Sequence, residues 1–111
     1  MRDEALKFLT DIRDALTEID TFTAGIDLAR YESDSLRRAA VERKFEIIGA
    51  ACNRLSPRDE PTFEKITHAP QIIGFRNRLI HGYDAVDHAI VWHVVKTKLP
   101  LLKDEIDILF G

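Results

Sequence analysis

The chain has one cysteine, Cys52, which excludes an intramolecular disulfide and a cysteine-rich zinc site and leaves core filler as the role for that residue. It has no apolar run long enough to span a bilayer, and its first residues, Met1-Arg2-Asp3-Glu4, are charged where a secretory signal needs a hydrophobic stretch. The expectation is a cytoplasmic protein without a membrane segment. Positive charge is not in excess either: the formal net charge of −3 argues against the broad positive field that holds duplex nucleic acid through many phosphates, though not against a local phosphate site. There is no glycine-rich phosphate loop, no nucleophile motif around a serine or the cysteine, no useful run of strand-like alternation, no internal repeat and no low-complexity segment.

What is present is helical periodicity. With 111 residues, 45% of them apolar and 32% charged, the composition is that of a globular chain forming a single domain over residues 1–111. From about Arg2 to Asp20, Ala5, Phe8, Leu9, Ile12, Ala15, Leu16 and Ile19 recur at three- and four-residue spacing, which predicts an amphipathic helix. A break over Thr21–Gly25 and a short helical turn over Asp27–Tyr31 follow. Asp34 or Ser35 then caps a second long helix that runs to Leu55 and stops before Ser56-Pro57, with Gly49 and Ala50 allowing a neighbouring helix to come close. Arg58 to Ala69 reads as loop with one helical turn after Pro61-Thr62. Asp84 is placed to cap a last long helix, Asp87 lies in its first turn, and Pro100 should kink it. The solution these elements point to is all-α: an antiparallel four-helix bundle with extra short helices.

The chain is organised around Phe75-Arg76-Asn77-Arg78-Leu79-Ile80-His81-Gly82-Tyr83. Pro70 opens this helix, and Gly82 is expected to end it in a left-handed cap. Ile72, Ile73, Phe75, Leu79 and Ile80 fall on one arc, and Arg76 lies in its middle, where an unpaired guanidinium costs several kcal/mol, on the order of a buried unpaired charge. Arg76 therefore requires a partner, for which Glu46 is a candidate, or a function. His81 lies about 140° round the helix from Arg76 and roughly 7.5 Å along it. The two side chains can meet through reach, through the helix end at Gly82, or across an interface with a second copy of the chain. Asn77, four residues before His81, shares its face and can hydrogen-bond the ring or a bound phosphate.

A histidine can take a proton from a ribose 2′-hydroxyl or return one to a leaving 5′-oxygen, while an arginine holds the phosphate as charge builds. Arg76 and His81 thus suffice for RNA cleavage without a metal, and a structural role for an Arg76–carboxylate pair is the plainer alternative. The basic residues Arg37, Arg38, Arg43 and Lys44 form either a solvated helix face or, with Arg76 and Arg78, a place for a few phosphates. His88 and His93 are five apart, a poor spacing for metal ligands, and Asp84 with His88 can be read as a cap and a surface histidine. Neither a metal nor a cofactor is called for.

Arg76-Asn77, three further residues and His81-Gly82-Tyr83 resemble the signature of the HEPN superfamily, in the form with an added tyrosine found in HepT-like toxins. Arg43-Lys44-Phe45-Glu46-Ile47-Ile48-Gly49, and Trp92 through Leu99-Pro100-Leu101-Leu102, also resemble that family's helices in order and spacing, so the resemblance covers nearly the whole chain. It implies a HEPN-like helical homodimer in which the motifs of two subunits line one cleft. It further implies a metal-independent endoribonuclease acting as the toxin of a type VII-like HepT/MntA toxin–antitoxin pair. The partner would be an MntA-like nucleotidyltransferase antitoxin, which transfers AMP to the motif tyrosine. On this chain Arg76 and His81 would be catalytic, Asn77 supporting and Tyr83 the AMP acceptor. Where relatives commonly read Gly-Glu-Ala, this chain has Gly49-Ala50-Ala51 and lacks a carboxylate on the second long helix. The alternative to an RNA-cleaving enzyme is a non-catalytic helical module that binds a nucleotide or a nucleotidyltransferase.

Overall fold

A computed structural model describes residues 3–111, the side chain of Tyr83 excepted. Met1 and Arg2, where the first helix was expected to begin, lie outside the described residues. Among the described residues there are seven α-helices, one 3₁₀ turn and no strand. They run as α1 (Asp3–Thr23), α2 (Leu28–Ser33), α3 (Ser35–Arg58), α4 (Glu60–Glu64), α5 (Ala69–His81), the 3₁₀ turn Tyr83–Ala85, α6 (His88–Thr97) and α7 (Leu99–Phe110). The expected helical bundle is present as α1, α3, α5 and an α6–α7 arm, with α2 and α4 as the short extra helices.

The periodicity of α1 does what its spacing requires. Ala5, Phe8, Leu9, Ile12, Ala15, Leu16 and Ile19 are all buried, on the face turned to the central helix α3. The helix continues past Asp20 to Thr23, whose buried hydroxyl donates to the Ile19 carbonyl at 2.8 Å and so needs no water. The break is confined to the residues around Gly25, at φ +71°, a left-handed conformation that glycine adopts without strain.

Aspartates then start one helix after another, because a short carboxylate accepts the orphan N–H groups of a first turn. Asp27 takes the N–H of Arg30 at 2.9 Å, Asp34 that of Arg37 at 3.0 Å, Asp59 that of Thr62 at 3.2 Å and Asp87 that of Ala89 at 2.9 Å. The Arg37 backbone N–H, with the charges of Arg37 and Arg30 adding to it, holds the Asp34 carboxyl below the usual carboxylate range.

Two boundaries differ from the sequence reading. α3 does not stop before Ser56-Pro57; it carries Pro57 in its last turn and closes at Arg58, with the Asp59 N–H on the Leu55 carbonyl at 2.9 Å. A proline there removes one N–H and leaves the rest of the ladder intact, and the pre-proline bias against helix is overridden by packing at Leu55, which is fully buried. The last helix is two helices. Asp87, not Asp84, is the cap of α6, and Asp84 sits in the 3₁₀ turn. The expected kink at Pro100 is a full break: α6 ends with the Lys98 N–H on the Val94 carbonyl, and Pro100 lies in the first turn of α7, where a missing N–H costs nothing.

The core is one cluster running through α1, α3, the α6–α7 arm and Tyr31 of α2. Tyr31 is fully buried against Trp92, ring centroids 5.3 Å apart, and burial pushes its phenol well above the ordinary value. Nearby, burial raises the Glu42 carboxyl, while His88 and Arg38 oppose the shift and Glu46 adds to it. His88 is therefore not a plain surface histidine: it is half-buried, and its Nδ1 is buried.

Cys52 has no exposure, and burial pushes its thiol up to about 12. Since the thiolate is the reactive form, Ellman's reagent should find no reactive thiol in the native protein and one per chain after unfolding in guanidinium. Rapid reaction of the native protein would contradict this packing.

Candidate functional site

α5 carries the motif, and three devices fix it. Pro70 lies in its first turn, with Ala69 buried beneath. Leu79 is buried, and Phe75 meets Phe45 of α3 edge-on at 5.1 Å between centroids. The third device is the crossing with α3 at Gly49. A Cβ built on Gly49 would lie 2.2 Å from Cβ and 2.5 Å from Cγ of Arg76. The stem of Arg76 thus occupies the space that any other residue at 49 would fill. This explains how an arginine sits among apolar residues: its methylenes pack on a bare helix backbone and carry the guanidinium past it.

Arg76 does not pair with Glu46, which instead accepts from Arg43 Nη1 at 3.1 Å. Arg76 Nη1 donates to Asn77 Oδ1 at 3.0 Å, and its Nε is buried without a partner. The guanidinium borders a cavity of about 370 Å³ between α1, α3 and α5, where Arg43, Glu46, Ala50 and Arg54 of α3 also reach the wall.

His81 faces the other way. It is exposed and borders a second cavity, of about 530 Å³, with Asn77, Arg78, Gly82, Asp87 and Ile90 among the residues around it. Most of that lining is apolar, with Phe75, Leu79, Val86 and Val91 behind the polar rim. Within one chain, then, Arg76 and His81 border different cavities on either side of α5, as their angular separation requires. Asn77 joins the two: its amide oxygen holds the Arg76 guanidinium, while its side chain borders the cavity of His81. Ile90, 54% exposed, leaves an apolar edge beside that cavity.

Gly82 ends α5 but is not left-handed; it stands at φ −116°, ψ 38°. The chain passes directly into the 3₁₀ turn, with the Gly82 N–H on the Arg78 carbonyl and the Ala85 N–H on the Gly82 carbonyl, both at 2.9 Å. What glycine supplies here is room: an added Cβ would come within 3.0 Å of the Arg78 carbonyl oxygen. Tyr83 begins that turn, two residues from His81; its side chain lies outside the described part of the structure.

Of the first basic group, Arg37 is held by Asp34 and by the Phe22 carbonyl, Arg38 by the Glu32 carbonyl, and Lys44 by Glu18. These are structural ties rather than a phosphate surface, and only Arg43 adjoins Arg76. Arg54 is the residue that sequence reasoning missed. The signal was available, because Arg43, Glu46, Ala50 and Arg54 follow one another at three- and four-residue spacing and so form one stripe of α3. Among the described residues no group of three or more His, Cys, Asp or Glu side chains comes together as a metal would need. No helix of the described residues is long and apolar enough to cross a membrane.

The fold is an all-helical, HEPN-like bundle that presents Arg-Asn-x-x-x-His from the end of α5, with the arginine seated on Gly49 of the central helix. The chain belongs to the HepT-like ribonuclease family, whose sequence profile, described as "Ribonuclease HepT-like", matches residues 12–109. It is 34% identical over 103 residues to a candidate RNase of Methanocaldococcus jannaschii, covering 91% of this chain and 92% of that protein. A second candidate RNase of that organism is 34% identical over 102 residues, covering 90% of this chain and 85% of the relative. A candidate ribonuclease HepT of Thermococcus cleftensis is 32% identical over 100 residues, covering 90% of each chain. No solved structure matches the chain significantly.

Proposed function

We propose that this protein is a metal-independent endoribonuclease, the toxin of a type VII-like HepT/MntA toxin–antitoxin pair, with Arg76 and His81 as catalytic residues and Asn77 as their support. Membership of a ribonuclease family supports RNA as the substrate. The observation that carries the assignment of residues is the position of Asn77, bonded to the Arg76 guanidinium at 3.0 Å and sharing a cavity with His81. An otherwise costly arginine is thereby held by a residue that also borders the cavity of the exposed histidine.

His81 takes the proton of a ribose 2′-hydroxyl; the 2′-oxygen bonds to phosphorus as the bond to the 5′-oxygen breaks, and an imidazolium returns a proton to that leaving oxygen. The Arg76 guanidinium faces the non-bridging oxygens, where negative charge builds. The products are a 2′,3′-cyclic phosphate and a 5′-hydroxyl. Because Arg76 and His81 border opposite sides of α5 in one chain, the reading includes a homodimer that sets Arg76 of one copy opposite His81 of the other. Tyr83, opening the turn directly after Gly82, is the proposed acceptor of AMP from an MntA-like nucleotidyltransferase. A charged nucleotide two residues from His81 would block the cavity and repel RNA phosphate.

The test is incubation of the purified protein with end-labelled RNA in EDTA, with intact mass measured alongside to establish that Tyr83 carries no AMP. Cleavage in EDTA that leaves 2′,3′-cyclic phosphate or 3′-phosphate ends is expected. Cleavage only on addition of a divalent metal would remove the proposed chemistry. Nucleotide binding without any cleavage by unmodified protein would favour the non-catalytic module.

A further inference from the structure

The cavity of about 370 Å³ beside Arg76 has a composition that the reaction itself does not explain. Three guanidinium groups reach it, from Arg43 and Arg54 of α3 and from Arg76 of α5. Two carboxylates also border it, and both are engaged: Glu46 accepts from Arg43 at 3.1 Å, and Asp11 accepts from Lys7 at 3.3 Å. Among the described residues no ion pair reaches Arg54 or Arg76. Two cations in one cavity therefore remain without a counter-charge, and one of them has a buried Nε that donates to nothing.

A buried guanidinium N–H left unpaired is a standing cost that an incoming oxyanion would remove, and guanidinium forks match the geometry of tetrahedral oxyanions. The space for that anion exists because the stripe of α3 between Arg43 and Arg54 carries Ala50. A larger side chain at this position would take up part of the cavity that Arg54 and Arg76 border. Nothing else bordering the cavity offers competing negative charge.

We infer that this cavity is a phosphate-binding site, with Arg54 and Arg76 as the ligands and Ala50 as the residue that keeps it open, and that the phosphate it takes belongs to the RNA chain. The inference rests on the ribonuclease reading for the source of the phosphate, but not for its chemistry. Since the proposed reaction sets Arg76 on the phosphate being cleaved, the phosphate held here is that one, with Arg54 as a second guanidinium on it and His81 supplied by the other copy of the homodimer. Arg54 is accordingly a substrate-binding residue and takes no part in proton transfer.

The experiment uses the full chain with His81→Ala, so that RNA survives the measurement, and compares it with the same chain carrying Arg54→Gln, Arg54→Lys or Ala50→Glu. A fluorescein-labelled 2′-O-methyl RNA 12-mer is titrated by anisotropy across a salt series. Separately, melting is followed in inorganic phosphate against chloride of equal ionic strength. Arg54→Gln should weaken RNA binding about tenfold, the equivalent of one charge-assisted contact, and lower the slope of log K against log salt by about 0.7, the value for one phosphate of a single strand. Arg54→Lys should recover part of the affinity and all of the slope, because it restores the charge. Ala50→Glu should weaken RNA binding at least as much, since its carboxylate takes the place of the phosphate. Phosphate should raise the melting temperature of the parent chain but not that of the Arg54→Gln or Ala50→Glu chains.

If neither RNA binding nor the response to phosphate changes in either variant while both remain folded by circular dichroism, there is no such site. If phosphate stabilises the parent and not the variants while RNA affinity is unmoved, the site is real and takes free phosphate, and its assignment to RNA is overturned. Failure of the ribonuclease reading looks different: the chain with native His81 would leave RNA intact, while the response to phosphate and its loss in the variants would persist.

Discussion

Replacing His81 with alanine is expected to lower RNA cleavage by about 10²–10⁴-fold, the usual contribution of a positioned acid–base group, while the melting temperature stays within about 3 °C of the parent. The two halves of this result have separate causes. His81 is exposed at the last position of α5, donates and accepts no side-chain hydrogen bond among the described residues, and forms no part of the buried core. Its loss removes no packing. What it removes is the proton acceptor at the rim of the cavity shared with Asn77. Cleavage rates on labelled RNA and a thermal melt of the same preparation check both halves. Lost cleavage accompanied by a large fall in melting temperature would mean that His81 holds the end of α5 together, and that the catalytic assignment has no support from this residue.

A larger structural effect is expected at a residue that touches no substrate. Gly49→Ala should destabilise the protein by about 1–3 kcal/mol, the cost of forcing an extra methyl into a filled interior. In a domain of this size that is a fall of roughly 5–15 °C in melting temperature. The methyl would lie 2.2 Å from Arg76 Cβ and 2.5 Å from Cγ, atoms at the base of the side chain that cannot swing aside without moving α5. Because the same displacement carries the Arg76 guanidinium away from α3 and the cavity it borders, cleavage should fall together with stability. Gly74→Ala is the control on the neighbouring helix. No atom lies within 4 Å of a Cβ built there, and Gly74 occupies a helix interior, so alanine should raise stability by up to about 1 kcal/mol. Equal effects at the two positions, measured by thermal and guanidinium unfolding, would show that α3 and α5 can part at Gly49 without penalty, and that the seating of Arg76 is not what the glycine is for.

These two glycines also mark how far local sequence information reaches. Both stand in helices, and nothing in their immediate neighbours distinguishes one that supports a crossing from one that faces open space. Gly49 beside Ala50 suggested a close approach, but which side chain would make it could not be read. The same limit applies to Glu46. It was the candidate carboxylate on the second long helix to balance Arg76, yet it lies at i+3 from Arg43 and pairs there, since the pair within one helix forms without depending on how two helices are rotated. Gly82 shows a third form of the limit. A glycine after a helix usually means a left-handed cap, but here the next residues turn at once into a 3₁₀ turn, which asks for room near the Arg78 carbonyl instead of positive φ.

By itself, the sequence determined the elements and the motif. Apolar residues at three- and four-residue spacing specify helices, Asp27 and Asp34 signal where two of them begin, Pro100 marks where the last stretch departs from a straight helix, and the spacing from Arg76 to Asn77 to His81 places these residues on known sides of α5. All of these depend on geometry within a single helix, which repeats every 3.6 residues whatever surrounds it. Only the tertiary structure decided that Arg76 lies over Gly49, that Arg54 from the far end of the same α3 stripe joins it, and that Ile90 and Asp87 border the cavity of His81. The rotation and crossing of packed helices are set by the fit of all their side chains at once, and that sum is written at no single position of the chain.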